Sequence, residues 1–361
     1  KATVGGIDLE GLKYAEKDIR GSFSLEGSFV QDSLVTAFKG GLSEILFVKE
    51  EERYPFKPIA FGYSTSPDST LAEIEGGFIR MHSTANRSLD SLASVLSTVL
   101  AKADDRELID QKVFWEADLE IDNLDEIGEL FLPDLRKFAS SSATIFLSAE
   151  EKELQVNASF PEIQYGSILL DSLSITSTDA GFDTKRTLEL QKLAYDSLYL
   201  DNVYLELVRK SSGVTTLLKV NADTSANYYR LAAELEADSA LLRNGFQFRF
   251  IDDLILEGEK WEYAESCRLI AEPEGVSFEN FKIQNADKSI ELIKPEIDSP
   301  FQIVASNFPL TTITGILNTE ERLFRGIIDG NATVNQDGSF LGDGTITEFT
   351  VSGADFGTLS W

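Results

Sequence analysis

The 361-residue chain has few of the residues from which catalytic and metal sites are usually built. It contains one cysteine, Cys267, and one histidine, His82. A lone cysteine excludes an internal disulfide, and any Ser-His-Asp triad, Cys-His pair or histidine-rich metal site would have to use His82. Because His82 lies in GFIRMHS, an ordinary strand-like context, we interpret it as a structural or solvent-facing residue.

Phosphate-binding loops and membrane-spanning runs are also missing from the sequence. No G-x-x-x-x-G-K-[ST] or G-x-G-x-x-G motif occurs, and no stretch approaches eighteen consecutive apolar residues. The glycine-rich GNATVNQDGSFLGDGT places Gly344 where a calcium loop needs a carboxylate. The sequence therefore predicts no cofactor, no metal and no enzymatic activity.

Positive charge is scarce. The chain has 32 Lys and Arg against 61 Asp and Glu, a net charge of -29, so it repels phosphate backbones and anionic headgroups. We therefore predict no nucleic-acid partner. Hydrophobic residues make up 42%, which is enough for a large buried surface and argues against disorder.

Along most of the chain, apolar and polar residues alternate with a period of two. In FWEADLEID, from Phe114 to Asp122, apolar residues alternate with acidic ones from Trp115 onward. This pattern predicts strands with one apolar face and one wet face. The same pattern places these further sets on shared faces: Phe23, Leu25 and Phe29; Ala143, Ile145, Leu147 and Ala149; Tyr229, Leu231, Ala233, Leu235 and Ala237; Phe246, Phe248 and Phe250; Thr347, Phe349 and Val351.

Two segments have helical spacing instead. From about 88 to 111, apolar residues recur at three- and four-residue steps behind Ser88, which predicts an amphipathic helix. A second, short helix is predicted over about 123–132, where Asn123 and Glu126 are spaced like a capping box and Pro133 ends the segment.

Turn-forming pairs such as Asn244-Gly245 and Asp337-Gly338 separate the strand-like segments, and no linker or low-complexity tract interrupts them. We therefore predict that residues 1–361 form a single elongated, repetitive all-β segment with one or two short amphipathic helices. Because the sequence begins and ends without a leader or anchor, we expect it to be a piece of a longer protein.

Two stretches carry a resemblance to a known family. The first runs from DLILEGEKWEYAES through the QNAD bend and NFPL to Phe324-Arg325-Gly326, Gly330 and a closing G-x-x-x-G-x-L. The second is NLDEIGELFLPDLRKF followed by SATIFLSAEEKELQVNASF, although Arg136 stands where a glycine is usual. Together they span Trp115 to Trp361, and they resemble the TamB family and its AsmA-like relatives.

The resemblance implies a long, U-bent (taco-like) β-sheet whose concave side is a continuous apolar groove. It further implies a periplasmic location, an inner-membrane anchor and a BamA/TamA-type outer-membrane barrel as partner, both contacted through parts outside this sequence. The implied function is transport of phospholipid between the inner and outer membranes, linked to outer-membrane protein assembly. The expected lining of the groove by acyl-chain-contacting residues is Phe23, Leu25, Phe29, Trp115, Leu119, Ile121, Ile145, Leu147, Leu231, Leu235, Phe246, Phe248, Phe250, Phe349 and Val351.

Such a role needs no catalytic residue. A diacyl lipid in water exposes on the order of thirty methylenes at about 0.8 kcal/mol each, more than about 20 kcal/mol in all, and an apolar groove removes most of that cost. Two alternatives share the alternation. One is an exported β-sandwich or solenoid adhesin whose apolar faces close on each other, and the other is a β-helix polysaccharide lyase or hydrolase that uses two carboxylates.

Overall fold

The computed structural model describes the chain except for residues 1, 12, 14–18, 89–112, 123, 149–152, 181–182, 197, 211–212, 237–245, 274 and 317–323. In the described part, 26 strands form one antiparallel sheet, so the predicted all-β class is confirmed. The helix predicted over about 88–111 lies almost wholly outside the described residues, as does the Asn244-Gly245 turn.

The chain divides into two units, Lys1–Thr184 and Lys185–Trp361. The strands of unit 1 are β1 Ala2–Asp8, β2 Ile19–Gln31, β3 Thr36–Lys49, β4 Glu52–Phe56, β5 Ile59–Ser66, β6 Ser69–Glu75, β7 Ile79–Ala85, β8 Phe114–Ile121, β9 Leu135–Phe138, β10 Ser141–Ser148, β11 Glu153–Tyr165 and β12 Ile168–Ala180.

Unit 2 holds the remaining strands, and the first two residues of β13 lie on the other side of the unit boundary. These strands are β13 Asp183–Tyr195, β14 Leu198–Lys210, β15 Gly213–Val220, β16 Tyr229–Glu236, β17 Phe246–Phe250, β18 Leu254–Leu256, β19 Glu259–Tyr263, β20 Arg268–Glu272, β21 Gly275–Asn285, β22 Lys288–Lys294, β23 Phe301–Pro309, β24 Phe324–Val334, β25 Phe340–Val351 and β26 Ala354–Ser360.

Two short helices interrupt the strands. Helix α1, Asp125–Phe131, lies within the predicted range of about 123–132. Its N-cap is Leu124, which makes no side-chain cap hydrogen bond, so the start of the helix differs from the predicted capping box. Helix α2, Thr311–Thr314, was not predicted, because the sequence TTIT consists of β-branched residues that favour strands.

Most strands pair with the strand that follows them in sequence, and residues directly opposite each other share a face of the sheet. The apolar residues therefore add up from strand to strand. Leu119 on β8, for example, lies opposite Met81 on β7 and Ala143 on β10. A one-residue slip would move all of them to the wet face, so the alternation itself fixes the register.

β-Bulges keep apolar residues on one face of the sheet where these residues are three positions apart in the sequence instead of two. Asn280 and Asn307 have positive φ and lie where the register shifts, between Phe278 and Phe281 and between Ala305 and Phe308. The extra residue turns the second apolar side chain back to the face of the first. Glu348 has the same role in β25, so Thr347 lies on the opposite face from Phe349, unlike the prediction.

Candidate functional site

One face of the sheet in unit 1 is apolar from β2 to β11. The opposed pairs on it are Leu25 with Leu42, Phe29 with Phe38, Phe38 with Tyr63, Phe61 with Ile74, Ile74 with Met81, Met81 with Leu119, Trp115 with Leu147, and Ile145 with Val156. We call this surface the unit 1 apolar face. Eight of the predicted lining residues lie on it: Phe23, Leu25, Phe29, Trp115, Leu119, Ile121, Ile145 and Leu147.

The acidic side chains of FWEADLEID lie on the other face of the same strands. Glu120 is opposite Arg80 and forms an ion pair with it at 2.6 Å between Oε2 and Nη2. His82 lies between Asp118 and Glu73, and its Nδ1 is 3.3 Å from Oε1 of Glu73. All four side chains of these two contacts are more than half exposed, so this is a solvated face, as interpreted for His82.

The middle of the unit 1 apolar face remains open. Leu119, Met81 and Phe61 are only half-buried, and at the tip of the β2–β3 hairpin Phe29 and Phe38 are 61% and 37% exposed. The rings of Phe38 and Phe61 stack with centroids 5.3 Å apart. Apolar side chains that are ordered against each other but not covered offer a surface to an apolar ligand.

The protein itself fills two parts of the same face, one at a strand end of β7, β8, β10 and β11 and one at the opposite strand end beside helix α1. At one end Leu147, only 1% exposed, forms a core cluster with Ala85, Val113 and Leu154, so it is buried rather than open to a ligand. Trp115 and Ile145 pack against this cluster.

At the other end lies helix α1. Phe131 meets Phe47 edge to face at 5.5 Å, Lys49 Nζ donates a hydrogen bond to the backbone oxygen of Glu129, and Leu130 is buried.

Unit 2 has its own apolar face. The opposed pairs on it are Leu235 with Phe248, Ala233 with Phe250, Phe248 with Leu269, Leu269 with Phe278, Phe281 with Leu292, Ile283 with Ile290, Ile290 with Ala305, Phe308 with Ile328, and Ile328 with Ile346. This is the unit 2 apolar face. The predicted lining residues on it are Leu231, Leu235, Phe246, Phe248, Phe250, Phe349 and Val351.

Part of the unit 2 apolar face is filled. Trp261 on β19 and Phe308 on β23 are each 2% exposed, and their ring centroids are 5.6 Å apart. Strands β21 and β22 separate β19 from β23, which on a flat sheet puts them about 14 Å apart. The sheet of unit 2 therefore curls over its own apolar face at this point. Leu231 and Phe250 pack against this cluster.

Helix α2 is held to this part of unit 2 by hydrogen bonds. Thr311 Oγ1 donates a hydrogen bond to Glu257 Oε2 at 3.0 Å, and Thr312 Oγ1 lies 3.4 Å from the same oxygen. The Tyr229 hydroxyl on β16 donates to the Thr311 carbonyl at 3.3 Å. These bonds join the segment after β23 to β16 and to the β18–β19 turn. Elsewhere on this face Leu235 and Phe248 are half-buried, and Phe246 is 45% exposed.

Sequence reasoning missed about half of the unit 1 apolar face and more than half of the unit 2 apolar face. Phe61, Tyr63 and Met81 in unit 1 were not predicted, nor were Trp261 and Phe308 in unit 2. One signal was available: apolar residues three apart within a strand, such as Phe278 and Phe281, mark a bulge that preserves the face.

No protein-family model, curated protein or solved structure matches the chain. Within the described residues, no three His, Cys, Asp or Glu side chains are grouped so that they could hold a metal ion. The helices of that same part of the chain are all too short or too polar to span a membrane.

Proposed function

We propose that this chain is a segment of a lipid-transfer protein of the TamB and AsmA-like class. In this proposal its apolar faces shield the acyl chains of phospholipids while the headgroups stay in water. The supporting observation is that consecutive strands of each unit add apolar side chains to one face, whose central residues remain partly exposed.

The free energy of transfer from water favours binding of acyl chains to these apolar faces. Each methylene taken out of water contributes about 0.8 kcal/mol, so even ten methylenes held on such a face gain about 8 kcal/mol before ordering costs. The opposite face, with Arg80 and Glu120 paired and hydrated, keeps the sheet soluble. Binding and shielding of this kind need no catalytic side chain.

The location and the larger partners depend on the resemblance alone. As part of the proposal, the chain works in the periplasm, between an inner-membrane anchor and a BamA/TamA-type barrel that both lie outside this sequence. Its transport of phospholipid between the membranes then supports outer-membrane protein assembly.

The clusters around Leu147 and Trp261 favour one competing function, an exported β-structured scaffold or adhesin whose apolar faces close on themselves. The two functions differ in the open regions. A scaffold leaves Leu119 and Phe248 against protein or water, whereas a lipid shield places acyl chains against them.

Site-specific photocrosslinking tests the proposal. A benzophenone amino acid is placed at Leu119 or at Phe248, and the matched controls are the next or preceding residue on the opposite face, Glu120 and Gln247. After irradiation of cells that produce the chain, we expect phospholipid adducts by mass spectrometry at the two apolar positions and not at the controls. Folded protein without adducts at either apolar position, and without lipid after organic extraction, would establish the scaffold instead.

A further inference from the structure

The β2–β3 hairpin of unit 1 ends in a tip that is apolar on both faces. On the apolar face Phe29 is opposite Phe38, and on the polar face Val30 is opposite Ala37. One pair further back, the polar face returns to its usual character with Ser28 opposite Lys39. The alternation of apolar and polar side chains along these strands therefore stops at the tip of the hairpin.

The tip is also exposed and poor in charge. Leu34, at the turn, is 66% exposed, and Val30 is 57% exposed. The segment Phe29–Phe38, FVQDSLVTAF, contains a single charged residue, Asp32, in a chain of which 26% is charged. Apolar side chains exposed together in this way mark an interaction site.

The turn holds its apolar residues in a fixed arrangement. The Asp32 carboxylate accepts hydrogen bonds from the backbone N–H groups of Leu34 at 2.7 Å and Val35 at 2.8 Å, and the Asp32 N–H donates to the Val35 carbonyl at 3.0 Å. The only charged group of the tip is thus turned to the backbone. The turn backbone that carries Leu34 is therefore already ordered, which lowers the ordering cost of binding at the tip.

The two-sided apolar character restricts what can cover the tip. A lipid acyl chain on the unit 1 apolar face, or the sheet of a second copy, covers one side of a ribbon and leaves the other side in water. A fluid apolar phase covers both Phe29 and Val30 at once. We propose that the β2–β3 tip is a membrane-contact element that inserts shallowly into the surface of a phospholipid bilayer.

Dimensions and charge agree with shallow insertion. From the Phe29–Phe38 pair to Leu34 the hairpin extends about 10 Å, which matches the depth of the boundary between headgroups and acyl chains. Lys39, exposed directly behind Phe38, would then lie at the level of the lipid phosphates. The neighbouring β5–β6 turn carries Asp68 beside the tip and limits deeper entry. The contact goes beyond acyl-chain shielding and does not depend on it.

Flotation with vesicles of zwitterionic phosphatidylcholine tests this inference, because anionic lipid would repel a chain of net charge -29. We expect the wild-type chain to float with the vesicles. Leu34→Asp and Val30→Asp should each lower the vesicle partition coefficient at least tenfold. The matched control is Ile313→Asp, which adds the same charge at a 60% exposed apolar residue of helix α2, away from any hairpin tip, and should leave partitioning unchanged.

Val30→Asp separates a bilayer from a one-sided partner, because Val30 lies off the apolar face. Wild-type protein that stays with the buffer, or a Val30→Asp variant that floats as well as wild type, would overturn the inference. So would dimers in sedimentation that Leu34→Asp abolishes without any vesicle binding. The amount of co-purified lipid should be equal in wild type and Leu34→Asp, because Leu34 is not one of the residues proposed to shield acyl chains. Loss of vesicle binding in this variant therefore tests the membrane-contact tip and not the lipid-shield proposal.

Discussion

Leu147 and Leu119 lie on the same apolar face and on paired strands, β10 and β8, yet truncating them should have different costs. Leu→Ala removes about three methylene equivalents, worth about 2.4 kcal/mol when fully buried. Leu147 is 1% exposed among Ala85, Val113 and Leu154, so a cavity is added and we expect a loss of about 3 kcal/mol. Leu119 is half-buried on an open surface, where water fills the space, and we expect about 1 kcal/mol.

Hydrogen exchange measured by mass spectrometry on peptides from β8 and β10 reads this difference within unit 1 alone, which avoids the assumption that both units unfold together. The opening free energy of these peptides should fall about 2 kcal/mol further in Leu147→Ala than in Leu119→Ala. Equal losses in the two variants would refute the division of this face into a filled end and an open middle.

Two further predictions concern lipid content and pH. Leu119→Arg and Phe248→Glu should each reduce the phospholipid extracted from the purified chain, while Glu120→Arg on the wet face should not; unchanged lipid in both apolar-face variants would contradict their assigned place. A hydrogen bond from the Tyr204 hydroxyl to Glu206 at 2.6 Å raises the pKa of Tyr204 from 10.0 to about 12, so its stabilising contribution is complete below pH 10 and is lost as pH rises towards 12. Urea unfolding between pH 9 and 12 should show a smaller decline in Tyr204→Phe than in wild type, and identical slopes would disprove the coupling.

Period-two alternation was sufficient to group the described apolar residues of unit 1 on one face of the sheet. Phe29 on β2 and Leu119 on β8 lie on one face because each strand between them pairs in the register that keeps apolar residues opposed. Alternation is a local property with a strong energetic consequence, since a slip by one residue exposes a whole apolar set.

The bulge in β25 and the short helix α2 were harder to predict from the sequence. The positive φ of Glu348 sends Thr347 to the wet face, although the letters TEFTV alternate without a break. Helix α2 forms at TTIT because Glu257 and Tyr229, both distant in sequence, supply hydrogen-bond partners there. Local propensity gives way to such tertiary contacts.

The amino-acid sequence by itself determined that this protein is built from strands with one apolar and one charged face. The reason is that successive side chains of a strand point to opposite faces of the sheet. Only the tertiary structure decided which parts of the apolar faces are filled and which stay open. Burial of Trp261 depends on the approach of Phe308 from a strand that is not its neighbour, and Leu119 remains half-buried because no described element covers it as the core cluster covers Leu147. Curvature of the sheet, which sets these contacts, is a sum over many strand pairs that no single segment encodes.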